Sequence, residues 1–287
     1  MSAKSTLLPV QTLVQSRGRL LDLSAPVVMG ILNATPDSFY NKGRGSDPES
    51  LLSLAERMLE DGAAILDIGG ASTRPGTPVI DPEEELRRVI PAVAEMHRRF
   101  PGAWLSVDTY HARVAAEAVA AGASMINDVS SGNIDGTMLD TVAGLGVPYI
   151  AMHMQGTPAT MQDNPAYGDV VAEVGQYLLD RMFAAERAGI KDIIIDPGFG
   201  FGKTVAHNFT LLNNLHSFRM CGKPVLAGIS RKSMVCRTLD IRPEDALNGT
   251  TALHMVALQQ GAAILRAHDV KEAVEVIRLW QALEQNS

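Results

Sequence analysis

Polar side chains recur at one place in a repeated pattern, the end of a short apolar run. Asn33, Asp67, Asp108, Asn127 with Asp128, His153, Asp196, Ser230 and His268 each close such a run. The carboxylates and amide of Asp108, Asn127 and Asp196 suit a ligand rich in N–H donors, such as a guanidine-like ring edge. Arg266, His268, Asn33 and hydroxyls of the neighbouring loops form a different set. Guanidinium and imidazolium groups make charge-assisted bonds to phosphate oxygens, so this set could hold a diphosphate. Strand ends meet solvent, and some polarity there needs no function. A polar residue at every one of eight ends favours a small-molecule site.

The elements that must position these residues are legible in the same pattern. The runs are VVMGILN (27–33), AAILDIGG (63–70), WLSVDT (104–109), SMINDV (124–129), PYIAMHM (148–154), DIIIDPG (192–198), PVLAGIS (224–230) and AAILRAH (262–268). They are nearly continuously apolar, as strands buried on both faces are. Between them, ESLLSLAERMLEDG, DPEEELRRVIPAVAEMHRRF, HARVAAEAVAAG, TMLDTVAGLG, DALNGTTALHMVALQQG and VKEAVEVIRLWQAL carry helical spacing. Asp81-Pro82 followed by glutamates is a helix start, which is also the plain reading of DPEEE. Gly62, Gly122, Gly146, Gly189 and Gly261 are helix stops. Eight β–α units predict an α/β fold, a (β/α)8 barrel in a single domain. Residues 1–20 are expected to be an N-terminal extension that covers the barrel bottom or frays, and residues 21–287 the barrel itself. A doubly wound sheet is disfavoured, because no GxGxxG follows the first run and GFGFGK (198–203) fits no nucleotide motif. In such barrels ligands bind at the C-terminal strand ends.

Bulk properties agree. The chain has 287 residues, 46% apolar and 5% aromatic, with formal charge −7. It has no basic run for nucleic acid and no apolar run of the roughly 18 residues that would span a membrane. Residues 1–20 lack a secretory apolar core. The two cysteines, Cys221 and Cys236, give neither a disulfide framework nor a zinc spacing, so a cytoplasmic location is expected. No His/Asp/Glu grouping has metal-cage spacing, which leaves Mg2+ shared with a phosphate ligand as the more plausible metal. His153 reads equally as a core histidine or a ligand. Lys232 alone reads as a surface lysine or a Schiff-base lysine. Within SRKS at a strand end, ligand binding is favoured.

MGILNATPDSF (29–39), GGASTRPG (69–76), SVDT (106–109), IND (126–128), MHMQG (152–156), DPGFGFGK (196–203), SRKS (230–233) and RAHDVKEA (266–273) appear in the order of the dihydropteroate synthase signatures. The chain resembles that family from about Leu21 to Trp280. The resemblance implies a transferase that joins 6-hydroxymethyl-7,8-dihydropterin diphosphate to p-aminobenzoate in folate biosynthesis. It implies pterin binding by Asp108, Asn127, Asp196 and Lys232, with Met152 beside the ring. Arg266, His268 and Thr73 would hold the diphosphate, and Asn33 would help coordinate Mg2+. Phe201, Lys203, Ser233 and the Arg74–Pro75 loop would form the p-aminobenzoate pocket. Asp37 would steady the cationic pterin, making Arg266, His268, Asp37 and Lys232 the catalytic set. A homodimer is a family expectation.

Two positions depart from the family pattern. Ala71 stands where Glu is common, and Tyr40-Asn41-Lys42 where many members have Ser-Asp-Gly. Both touch loops that would close over p-aminobenzoate, so an altered sulfonamide response is an open expectation. The rival functions are a pterin-binding module of corrinoid methyltransferases and a non-catalytic pterin binder. The STRPG loop, SRKS and the Arg266–His268 pair argue against both.

Overall fold

The computed structural model describes residues 9–34, 48–71 and 80–286. A hairpin of β1 (Leu13–Ser16) and β2 (Arg19–Asp22) precedes alternating strands and helices. These are β3 (Val27–Asn33), α1 (Pro48–Glu60), β4 (Ile65–Gly69), α2 (Pro82–Arg99), β5 (Trp104–Asp108), α3 (Ala112–Ala121), β6 (Met125–Asp128) and α4 (Met138–Leu145). They continue as β7 (Tyr149–Met152), α5 (Val170–Ala188), β8 (Ile193–Asp196), α6 (Val205–Asn213), β9 (Leu226–Ala227), α7 (Ser233–Leu239), α8 (Leu247–Gln259), β10 (Ile264–Ala267) and α9 (Val270–Glu284).

Strands β3 to β10 form one eight-stranded sheet in the order β8-β7-β6-β5-β4-β3-β10-β9, with every pair parallel. A parallel bridge between Ile195 and Val225 joins its two ends, with Ile195 N donating to Pro224 O at 3.0 Å. The ring therefore closes, and the eight apolar runs are its staves, as the (β/α)8 reading expects. Each helix lays an apolar stripe on the outside of the ring, and that shell is the main core. Asp81 caps α2 by accepting from Glu83 N, with Pro82 in the first turn. The five glycine stops all have positive φ, which an L side chain resists.

The ring's interior has its own core. Met29, Ile65, Trp104, Met125, Ile150, Ile194, Leu226 and Ile264, one from each barrel strand, pack into a bottom layer. Val14, Leu21 and Leu23 join that layer, so the β1–β2 hairpin plugs the lower end. Arg19 fixes the plug by lying 5.3 Å over the Trp104 ring and donating to Gly102 O at 2.7 Å. Asp192 holds the other side, accepting from Gln15 N at 3.0 Å. The residue-21 boundary expected for the extension falls inside β2.

If the hairpin is a plug, a charge in it must be either buried or expelled. Val14→Asp is expected to lower the melting temperature by about 10 °C while leaving ligand affinity at the far end of the barrel unchanged. Calorimetry and a binding titration check both parts, and an unchanged melting temperature would rule the plug out.

Candidate active site

Strand geometry converts the bottom layer into a map of the mouth. Side chains alternate across a strand, so the residue two places beyond each bottom-layer residue faces the same interior. From Ile65 this gives Asp67, and from Trp104 it gives Ser106 and then Asp108. Met125 leads to Asn127, Ile150 to Met152, Ile194 to Asp196 and Ile264 to Arg266. One step of alternation therefore replaces an apolar layer with an ionic one. Asp128 and His153, next in sequence to interior residues, fall on the other side.

Arg266 organises the ionic layer. It donates through Nε to Asp67 Oδ2 at 2.7 Å and through Nη2 to Asp108 Oδ2 at 2.9 Å. Asn127 Nδ2 donates to the same Asp67 oxygen at 3.0 Å. Asp67 is fully buried, and its Oδ1 and the nearby Ser106 Oγ have no hydrogen-bond partner among the described residues. Burial pushes the Asp108 carboxyl upward against the pull of Arg266, and Asp67 and Asp128 add to the rise.

Lys232 and Asp196 form the other half. A Cβ built on Gly228 would lie 3.6 Å from Lys232 Nζ and 3.9 Å from Asp196 Oδ2, which sets the two groups side by side. Lys232 Nζ donates to Phe199 O and lies 4.6 Å over the Phe201 ring. Burial lowers its pKa to about 8, with Asp196 opposing the fall. Asp196 Oδ1 accepts from Gly198 N at 2.7 Å, and burial raises its pKa. Met152 and Phe201 belong to a small apolar cluster with Tyr110, Val129, Met154 and Met161 above the ionic layer. The mouth thus pairs acceptor oxygens and cations with an apolar wall.

The remaining expected residues divide into three groups. Asn33, Ser233 and His268 are exposed at the rim, where Ser230 Oγ lies 3.0 Å from His268 Nδ1. Lys203 is not brought to the mouth surface. It is buried, and its Nζ lies 2.8 Å from His153 Nδ1 and donates to Gly198 O and Phe201 O, each at 2.9 Å. These contacts pin the Gly-rich loop, while burial lowers the Lys203 pKa well below the ordinary lysine value. Burial and Lys203 push His153 down to about 3, so its neutral ring accepts from the lysine. The loop needs Gly198 at φ +69, because a Cβ there would sit 1.9 Å from His153 O. Asp37, Thr73, Arg74 and Pro75 lie outside the described residues.

Comparison with known proteins places the chain in a family. A family model described as a pterin binding enzyme matches residues 29–268. The dihydropteroate synthase of Escherichia coli K12 is 46% identical over 269 residues, covering 93% of this chain and 95% of that one. The chain belongs to the dihydropteroate synthase family of pterin-binding enzymes. The family's Yersinia pestis member, solved in a sulfonamide drug complex, superposes with a TM-score of 0.90 at 43% identity, over 96% of this chain and 100% of that one. The Xanthomonas albilineans synthase solved with 4-aminobenzoic acid gives 0.89 at 46% identity, over 96% of this chain and 99% of that one.

Two acidic residues beyond the expected set shape the mouth. Asp67 is the middle residue of β4, and its partnership with Arg266 spans 199 positions, so no local pattern announces it. The alternation from Ile65 could have found it. Glu85, on the first turn of α2, is fully buried with neither carboxyl oxygen hydrogen-bonded among the described residues. It packs so close under Gly70 that a Cβ there would lie 3.1 Å from its Cγ, and its Oε2 is 4.0 Å from His111 Nε2. Ala71, the departure from the family's Glu, is half-buried against the apolar cluster above. Tyr40-Asn41-Lys42 lie outside the described residues.

Burial raises Glu85 to about 8, with Asp108 adding to the rise and the Thr109 hydroxyl opposing it. The folded chain keeps this proton until about pH 8, whereas the unfolded chain releases it near the ordinary value of 4.5. The folded state therefore binds more protons between those values, and stability falls as pH rises through that window. Glu85→Gln, which cannot ionise, is expected to gain melting temperature relative to the parent between pH 5 and pH 9, on the order of 5 °C. A difference that stays flat with pH would refute the protonated assignment.

Proposed function

We propose that this chain condenses 6-hydroxymethyl-7,8-dihydropterin diphosphate with p-aminobenzoate, giving 7,8-dihydropteroate and diphosphate in folate biosynthesis. The carrying observation is the ionic layer, in which Asp67, Asp108, Asp196 and Asn127 meet Arg266 and Lys232 inside the barrel mouth. A pterin has a guanidine-like edge of N–H donors and a carbonyl edge of acceptors. Asp108, Asn127 and Asp196 meet the first edge and Lys232 the second, with Met152 against the ring face. Phe201 and Ser233 border the p-aminobenzoate position, to which Arg74 and Pro75 are also assigned. Lys203 contributes by holding the Gly-rich loop.

The reaction is substitution at the pterin methylene carbon. The C–O bond to diphosphate breaks and its electron pair leaves with the diphosphate, which leaves a resonance-stabilised pterin cation. The aniline nitrogen then attacks that carbon and loses a proton. An aniline is already neutral at pH 7, so general-base help is minor. Asp37 and the ionic-layer carboxylates would steady the cation. Arg266, Thr73 and His268 would hydrogen-bond the leaving diphosphate, the His268 ring being neutral because burial lowers its pKa to about 4.

Magnesium fits the donor set. Asn33 offers a side-chain amide oxygen at the rim, and no group of three or more His, Cys, Asp or Glu among the described residues forms a cage. One protein oxygen with the rest from water and diphosphate suits a small hard cation that dehydrates reluctantly. Bound there, Mg2+ would neutralise charge on the leaving diphosphate.

The free thiols Cys221 and Cys236 suit a reducing cytoplasm. Leu279 and Leu283, 62% and 56% exposed on α9, support a homodimer through that helix. Residues 21–287 are read as the barrel domain and residues 1–20 as its N-terminal extension.

The deciding assay is diphosphate release with Mg2+, with and without p-aminobenzoate. Release that depends on p-aminobenzoate, with dihydropteroate as product, is expected. Pterin binding without turnover would point to a binder or a methyltransferase module. Arg266→Lys keeps the charge and loses the two-carboxylate bridge, so kcat/KM should fall about 10²-fold or more. Because Lys232 must stay protonated to donate to the pterin, kcat/KM should also decline as pH rises past about 8. A flat profile to pH 9.5 would remove Lys232 from that role. The sulfonamide inhibition constant, divided by the KM for p-aminobenzoate, should differ from that of a sensitive synthase; an equal ratio ends that idea.

A further inference from the structure

Arg231 stands between two residues of the proposed site, Ser230 and Lys232, yet nothing in that chemistry employs it. Its backbone has φ +55, the left-handed region that a side chain of its size avoids. Such strain persists only where the surroundings over-determine it, and it concentrates at functional sites. The surroundings here are dense. The guanidinium engages Asp269 through both carboxyl oxygens, Nε to Oδ2 at 2.9 Å and Nη2 to Oδ1 at 2.6 Å. Its Nη1 donates to Pro243 O at 3.0 Å and to Glu244 O at 3.3 Å. Arg231 N donates to Thr250 Oγ1 at 3.1 Å, and Cys236 Sγ lies 3.6 Å from Arg231 O.

The partner is as telling as the strain. Asp269 follows His268 and precedes α9, and Ser230 bonds His268 through both Nδ1 and the backbone N–H, at 3.0 and 3.2 Å. Two consecutive residues of the loop after β9 are thus tied to two consecutive residues after β10. The Ser230–His268 pair and the Arg231–Asp269 pair form two adjacent rungs between the same two loops. The turn at Arg231 sends its own side chain back while Lys232 runs forward to Phe199 O and the Phe201 ring.

We propose that the Arg231–Asp269 pair is a positioning device that sets Lys232 and His268 together, so that the two loops act as one piece in the reaction. This rests on the proposed function for the roles of Lys232 and His268. The pair touches no reacting atom. A bidentate guanidinium–carboxylate fork fixes direction as well as distance, which a lysine at the same position would not do. Misplacement of a binding group by about 1 Å can cost on the order of 10²-fold in rate.

The test compares Arg231→Lys and Asp269→Asn with the parent enzyme. Arg113→Gln, which removes an exposed helix-surface pair with Glu83 and Glu117, serves as the control. Each site variant is expected to lose about tenfold or more in kcat/KM, and the double variant little more than either alone. In a Lys232→Met background the further loss from Arg231→Lys should largely vanish while its effect on melting persists. Lys232 acylation by an amine reagent, followed across pH by peptide mass spectrometry, should move its half-labelling pH in both variants and not in the control. Should Arg231→Lys fail to fold, Asp269→Asn, which changes no volume, carries the same comparison. Variants that keep kcat/KM within about twofold of parent with an unmoved Lys232 labelling profile would overturn the proposal. A parent chain without p-aminobenzoate-dependent turnover would overturn the proposed reaction instead, and the labelling profile would decide the positioning claim alone.

Discussion

Arg266 sits between Asp67 and Asp108 at 2.7 and 2.9 Å, in a ring of strands closed on every side and sealed by an apolar layer below. In that setting an unpaired charge is costly, and removing the guanidinium would strand two carboxylates, one of them fully buried. The pairing therefore does more than add stability. It allows carboxylates to exist at a depth where a flat heterocycle can be surrounded, and it holds them oriented before any ligand arrives. Asn127 takes its orientation from the same Asp67 oxygen, so three of the mouth's polar residues share a single reference point.

The rest of the barrel can be read as what keeps that point fixed. Closure between Ile195 and Val225 prevents the ring from opening at its weakest seam, where β9 has only two residues. The hairpin plug keeps water from the lower layer. On the upper side, Lys203 holds the Gly-rich loop from beneath, and that loop in turn supplies Phe199 O and the Phe201 ring to Lys232. The more deeply buried lysine thus sets the place of the other through the loop between them. This separates Lys203 from Lys232, although both are lysines in Gly- or Ser-rich segments.

The fold was legible because strands buried on both faces must be apolar throughout, and eight such runs separated by helical spacing leave few architectures. The helices that the sequence does not single out are α5, α6 and α7; α6 and α7, nine and seven residues long, are too short to establish a 3.6-residue period, whereas α5 runs to nineteen residues. Within the site, run ends pointed to Asp108, Asn127, Asp196 and Arg266 because a polar residue after an apolar run is conspicuous. They pointed equally to Asp128 and His153, which the alternation turns outward. Asp128 accepts from Tyr149 Oη, Ser130 and Gly132, and His153 takes a proton bond from Lys203. Only the register of each strand against the bottom layer separates the two classes. What could not be read was non-local: the Asp67–Arg266 bridge, the buried Glu85 beneath Gly70, and the Arg231–Asp269 fork depend on segments that folding alone brings together.

Charge balance in the mouth bears on how a diphosphate could be held there. Asp67, Asp108 and Asp196 against Arg266 and Lys232 leave one net negative charge among the described interior groups. Even with Asp108 protonated, as its burial favours, the sum only reaches zero. Such a site has no electrostatic surplus with which to attract a polyanion. It can offer direction: Arg266 commits Nε and Nη2 to carboxylates, which aims its remaining nitrogen away from Asp67 and Asp108. On the proposed function, further positive charge for the diphosphate would come with a divalent cation carried in with the ligand. The ionic layer below would then serve the heterocycle rather than the diphosphate. The proposed roles thus separate by height in the barrel, and an interior with more cations would favour the diphosphate only at the expense of the heterocycle.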